Sequence, residues 1–173
     1  MIWHNAIATK DNMKKKKGWL GDYKCRFCDE FETIHHLFFE CAAAKYMWSV
    51  VSKSLGVNTR PSNFSQYFVW ISKILPKRTN LHVVGVAAMC WALWKLGNRA
   101  CFELKLIKNP AEIICYACSF LKYWASLQLG ADKSDILTGA DNLQGLALSL
   151  SSSPSPASWM LREIPDQTAG INS

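Results

Sequence analysis

Carboxylates are scarce across the middle of this chain. Residues 61–130 hold only Glu103 and Glu112 against eight Lys and Arg. Metal-dependent nucleases and polymerases gather several carboxylates around two ions, so that stretch lacks the raw material for such a site. No phosphate-cradling glycine loop and no Gly-x-Ser-x-Gly elbow occurs anywhere. Long apolar runs are missing too. The uncharged apolar run Leu81 to Trp94 is 14 residues and contains His82 and Gly85. A bilayer needs about 20 apolar residues, so this run reads as a buried central helix that continues toward Phe102, with no membrane partner. The start carries Trp3, His4 and Lys10 rather than a charged residue followed by an apolar core, which is not the pattern of a secretory leader. The seven cysteines are an odd number. They are therefore expected to be reduced thiols in nucleus or cytoplasm.

Charge of one sign dominates what remains. The net charge is +7. It is carried by residues 1–130, whereas residues 131–173 have two basic and five acidic side chains. A basic body suits a polyanion, and it also suits simple solubility.

The most informative residues are Cys25, Cys28, His36 and Cys41, in the spacing Cys-x2-Cys-x7-His-x4-Cys. Zinc takes four soft or borderline donors at tetrahedral corners, and Cys3His is a standard structural set. The short gap lets Cys25 and Cys28 reach one ion from a single tight turn, and the second pair closes the loop. Ordinary buried thiols are the competing reading. The turn around the first pair is too polar for that, with Asp22, Lys24, Arg26, Asp29, Glu30 and Glu32. Thr33 can cap a helical run from Ile34 to Glu40, on which neighbouring side chains diverge, so one histidine binds. His36 is favoured and His35 is the runner-up. A set of four filled positions makes one structural Zn2+, with no catalytic residue.

The block Glu32-Thr-Ile-His-His36-Leu-Phe-Phe-Glu-Cys41, followed by Ala44-Lys45-Tyr-Met-Trp48, resembles the zinc-binding domain at the C-terminal end of plant LINE-type (non-LTR) reverse transcriptases. Thr9-Lys10-Asp11-Asn12-Met13 and Gly18-Trp19 resemble the run-in to it, so the likeness spans residues 2–51. Cys90-Trp-Ala-Leu-Trp94-Lys-Leu-Gly-Asn98-Arg99 is similar to the segment that often follows. The chain departs from the family at Ala42, where proline is common, and at Met1, where the family continues upstream into the first half of the domain and the polymerase. The resemblance implies a retrotransposon-derived module and a polymerase domain as a partner. The polymerase signature Tyr-x-Asp-Asp is absent, so no enzyme is expected here.

Two functions remain open. One is binding of RNA or single-stranded DNA. Lys14, Lys15, Lys16 and Lys17 with Trp19, Lys24 and Arg26 supply charge, and Phe27 sits between two ligands where a base could stack. The other is a structural or protein-interaction module, or a transposon remnant without a present role.

The fold is expected to be mainly α: a small zinc-stapled loop and helix unit, then a bundle of about four helices, then a disordered tail. Residues 1–56 form the zinc-binding domain, 57–130 a helical region and 131–173 a low-complexity tail. Met47, Val50, Val51 and Leu55 mark one helix, stopped by Gly56. Phe64, Phe68, Ile71 and Leu75 mark the next, widened by Trp70 and Ile74 and ended by Pro76. Asn109-Pro110-Ala-Glu112 opens a helix that runs to about Leu129. Cys115 and Cys118 form a second Cys-x2-Cys, but their apolar surroundings and the lack of a nearby histidine make them buried thiols. Cys90 and Cys101 would join them only through a tertiary coincidence. Leu143, Leu146 and Leu150 suggest a short amphipathic helix before the serine- and proline-rich stretch.

Overall fold

The computed structural model describes residues 7–151. Six α-helices and one π turn make up the regular structure of those residues, with a single antiparallel bridge and no strand. The helices are α1 (Lys10–Lys17), α2 (Ala42–Ser54), α3 (Phe64–Ile74), α4 (Thr79–Phe102), α5 (Ala111–Ala125) and α6 (Gly130–Ser151), and the π turn spans His36–Glu40.

The basic lead-in is itself a helix. α1 places Lys14 to Lys17 in its last turn, where positive charge faces the negative end of the helix dipole. Gly18, at φ 60°, closes it in the left-handed conformation that lacks a Cβ penalty. α2 buries Met47, Trp48 and Val50, and Gly56 follows at φ 70°. Asn63 caps α3, its side-chain oxygen accepting the Gln66 N–H at 2.8 Å. The box at the head of α5 forms in both directions. Asn109 Oδ1 accepts the Ala111 N–H at 2.9 Å, and Glu112 Oε1 accepts the Asn109 N–H at 3.0 Å.

α4 is the central helix, with Met89, Cys90, Leu93 and Leu96 buried. It packs against α5 and also meets α2, α3, α6 and the π turn. No described helix is long and apolar enough to cross a membrane. One continuous buried cluster runs from Cys25 through Trp48, Leu93 and Ile114 to Ala147. The zinc-type loop is thus seated on the same core as the helices that follow.

The C-terminal expectation needs correction over 131–151. Instead of a loose tail, α6 lies along α5 and touches α2, so five helices follow the π turn rather than about four. It buries Ile136, Ala140, Leu143 and Ala147, a stripe at four- and three-residue steps. α5 accordingly stops at Ala125, short of the predicted Leu129, and Gly130 opens α6 at φ 58°. The serine- and proline-rich stretch lies outside the described residues.

Candidate metal centre

The first pair of ligands sits on a knuckle. Lys24 bridges Phe31, and the Glu32 N–H donates to the Tyr23 carbonyl at 3.0 Å, which folds residues 23–32 back on themselves. The Cys25 N–H donates to the Glu30 carbonyl at 2.7 Å, while the Cys25 carbonyl accepts from Asp29 at 3.1 Å. Asp29 takes φ 58° to complete the turn, a conformation that aspartate tolerates better than most residues. The Phe27 N–H points at the Cys25 sulfur, 3.4 Å away.

The second pair depends on the π turn. In an α-helix, residues five apart sit about 140° apart around the axis, since each step is about 100°. His36 and Cys41 would then face different directions. The wider turn, closed by the Cys41 N–H to the His36 carbonyl at 2.7 Å, swings them onto one side. Thr33 begins it by accepting the His36 N–H on its hydroxyl at 3.0 Å.

Together these elements bring Cys25, Cys28, His36 and Cys41 to one point, with all four donor atoms within 4.8 Å of one another. The Cys25–Cys41 and Cys28–Cys41 sulfurs are each 3.7 Å apart. Zinc–sulfur bonds of about 2.3 Å at tetrahedral angles require edges of about 3.8 Å, which both of these distances match. His36 Nε2 lies 3.1 Å from Cys28 Sγ, somewhat tighter than the ~3.5 Å of an ideal sulfur–nitrogen edge. The donor set and its spacing fit zinc. His35 stands outside, its ring 3.1 Å from the Glu40 carboxylate, so His36 is the histidine of the cluster. Among the described residues no other group of three or more His, Cys, Asp or Glu gathers this way, and Cys118 and Cys90 are buried thiols.

The four donors are close enough to share protons through hydrogen bonds. Hydrogen bonds from Cys25 and then Cys41 hold the Cys28 thiol far below its usual range, with His36 adding to the effect. Hydrogen bonding to Cys28 and then Cys41 pushes His36 up to about 10. Cys25 is driven up, the opposite way to Cys28, by its bond to that thiol. A divalent cation bound by Cys25, Cys28, His36 and Cys41 would displace the shared protons and be held by three thiolates and one imidazole.

Four contacts around the site have no signature in the sequence. Lys10 is buried, its ammonium on the Lys24 carbonyl and its N–H on Glu32 Oε1 at 3.1 Å, which clips α1 to the knuckle. Burial pushes the Glu32 carboxyl up. Trp48 Nε1 donates to the Phe38 carbonyl at 2.7 Å, and its ring stacks on Phe39 at 5.8 Å, tying the second ligand pair to α2.

Of the residues expected to contact nucleic acid, Lys14 to Lys17, Lys24 and Arg26 are exposed and Trp19 is half-buried. Trp19 meets Tyr23 edge-on at 6.2 Å, and the Lys14 ammonium stands 4.0 Å above the Tyr23 ring. Phe27 is a correction. Only 8% of it is exposed, and its ring is turned inward to Gly97 of α4, so no face is free for a base. No curated protein and no solved structure matches the chain. The family model for zinc-binding in reverse transcriptase matches residues 1–48, a stretch that contains every member of the Cys3His cluster.

Proposed function

We propose that this chain is a non-catalytic, zinc-stapled module that holds RNA or single-stranded DNA on the cationic side of α1 and the knuckle. We trace its origin to a retrotransposon reverse transcriptase of the non-LTR, plant LINE type, on the resemblance carried by Glu32 to Cys41 and Ala44 to Trp48. The observation that carries the reading is the clip between α1 and the metal loop. Lys10 fastens the helix that displays Lys14 to Lys17 onto the turn that displays Lys24 and Arg26. A folded metal loop therefore fixes where the positive charge stands. Four donors fill a tetrahedral shell and leave no place for a reacting water, which supports a structural role for the metal.

Such a surface grips phosphates without reading sequence. Binding is expected to be weak, salt-sensitive and similar for RNA and single-stranded DNA. The test is affinity at two salt concentrations, for the wild-type protein and for a variant with Lys14 to Lys17 replaced by Glu. Loss of binding in the variant supports the reading, and absence of binding by the wild type at low salt refutes it. A nuclear or cytoplasmic, reducing location goes with the same proposal.

A second reading has its own observation. Leu20 is 93% exposed and Phe31 72%, large apolar side chains on the zinc-type unit. A protein contact, with a polymerase domain as the partner the resemblance suggests, would cover them. Polar substitutions at Leu20 and Phe31 that leave nucleic-acid binding intact but abolish association with such a domain would select it.

A further inference from the structure

One flank of α4 and α5 carries an array of rings that are half-buried against the edge of the core, with Trp91 at its exposed margin. α5 turns Ile113, Ile114, Ala117, Cys118 and Leu121 inward. Tyr116, Phe120 and Trp124 fall at four-residue steps along its flank, half-buried against the core, with centroids 5.0 Å and 5.8 Å apart. Trp91 and Trp94, three residues apart on α4, are separated by 5.1 Å. Trp91 joins the two sets, edge-on to Phe120 at 6.4 Å. Trp91 is 41% exposed and Tyr123, the next ring along α5, is 67% exposed.

Cations, not acids, accompany these rings. The Lys95 ammonium lies 6.0 Å from the Trp91 centroid and the Arg99 guanidinium 6.0 Å from that of Tyr116. α4 has no acidic residue, and the one acid of α5, Glu112, is engaged in the cap at its head. Glu103, just past α4, is 3.9 Å from Arg99 and 3.1 Å from Lys105, so two cations share it. The array also adjoins the zinc-type unit, because Trp94 Nε1 donates to the carbonyl of Ala8, immediately before α1, at 3.2 Å.

We propose that this aromatic and cationic side of α4 and α5 is a stacking platform for single-stranded nucleic acid. Bases lie on Trp91 and its neighbouring rings while phosphates meet Lys95 and Arg99. Planar faces next to positive charge match what a single strand offers, since each base has a π-face and each link a negative charge. The inference rests on nucleic acid being the partner, as above, but not on the lysines of α1.

The test uses the full, zinc-loaded chain and a fluorescent oligouridylate at low salt. Trp91→Ala is expected to weaken binding about tenfold, the loss of one stacked base, whereas Trp91→Phe keeps near wild-type affinity. Lys95→Glu with Arg99→Glu is expected to weaken binding and lower the salt slope by about 2. Photo-crosslinking to 5-iodouridine in the same oligonucleotide is expected on the peptide that contains Trp91. Zinc content and far-UV circular dichroism verify that each variant is folded. If the Lys14 to Lys17 variant loses binding while the Trp91 and Lys95/Arg99 variants keep it, the platform is overturned and the α1 reading stands. The reverse pattern supports the platform and refutes the α1 surface. No binding by the wild type at low salt overturns both. Binding to phosphatidylserine vesicles that Trp91→Ala abolishes, with RNA affinity unchanged, overturns the platform in favour of a membrane surface.

Discussion

Replacing Cys41 by Ser probes the cluster where it is most connected. Cys41 is fully buried, and its sulfur is 3.7 Å from each of the other two sulfurs. It also stands at the junction of the π turn and α2, where its carbonyl accepts the Lys45 N–H at 2.8 Å. A structural zinc site is worth about 10–16 kcal/mol in peptides of this kind, so one ligand of four accounts for about 3 kcal/mol. That predicts zinc affinity lower by roughly two orders of magnitude. Competition with a chromophoric chelator measures it. Cobalt substitution adds a structural readout, since the sulfur-to-metal charge-transfer band should fall as three thiolates become two. Cys118→Ser serves as the control. It also places a hydroxyl in the core, so it should cost stability, yet leave metal stoichiometry at one. Wild-type protein without zinc, or Cys41→Ser with unchanged affinity, would refute the assignment.

Three further outcomes follow from the packing. Burial pushes the Cys118 thiol up to about 12, so the folded state keeps a proton that the unfolded chain has lost above its ordinary value of 9.0, and stability falls as pH rises through that window. At pH 10 the loss from this thiol is about 1.4 kcal/mol, and Cys118→Ala should show a shallower decline between pH 8 and pH 10 in denaturant midpoints; equal declines would contradict the burial argument. Trp48→Phe strands the Phe38 carbonyl in the core and opens a small cavity, a cost of about 3 kcal/mol that should lower the melting temperature by roughly 10 °C in a thermal scan. Phe27→Ala should destabilise the fold by about 3–5 kcal/mol in denaturant titration without changing oligouridylate affinity under folded conditions; lost affinity would restore Phe27 as a stacking residue.

The ligands were legible because metal binding fixes both residue type and spacing within one short stretch, and both survive in a linear text. That only one of His35 and His36 binds was legible from the divergence of neighbouring side chains, but which one was decided by the π turn, which nothing in the spacing announced. The box at Asn109 and Glu112 was legible for the same local reason. Only the end of α6, around Leu143, Leu146 and Leu150, was legible, because its buried stripe is half alanine, Ala140 and Ala147, and glycines interrupt it at 139 and 145. Such a helix owes its formation to the α5 surface it covers rather than to its own propensity. Phe27 was misplaced because its position between two ligands says nothing of which way the ring turns. That is settled by α4, some 70 residues later in the chain.

The seat at Gly97 has a consequence for portability. A methyl group at this point of α4 would lie 3.7 Å from the Phe27 ring and 3.9 Å from Leu37, ordinary contact with nothing to spare. Alanine is therefore tolerable there, and a larger side chain should crowd Phe27 and Leu37. The seat is made by one half of the chain for side chains of the other. A graft of residues 7–56 onto an unrelated protein would carry its metal ligands intact and still leave Phe27 and Leu37 bare. Recombination between α2 and α4 would do the same to both descendants. The zinc-type loop leans on a helix that its own stretch of sequence does not supply.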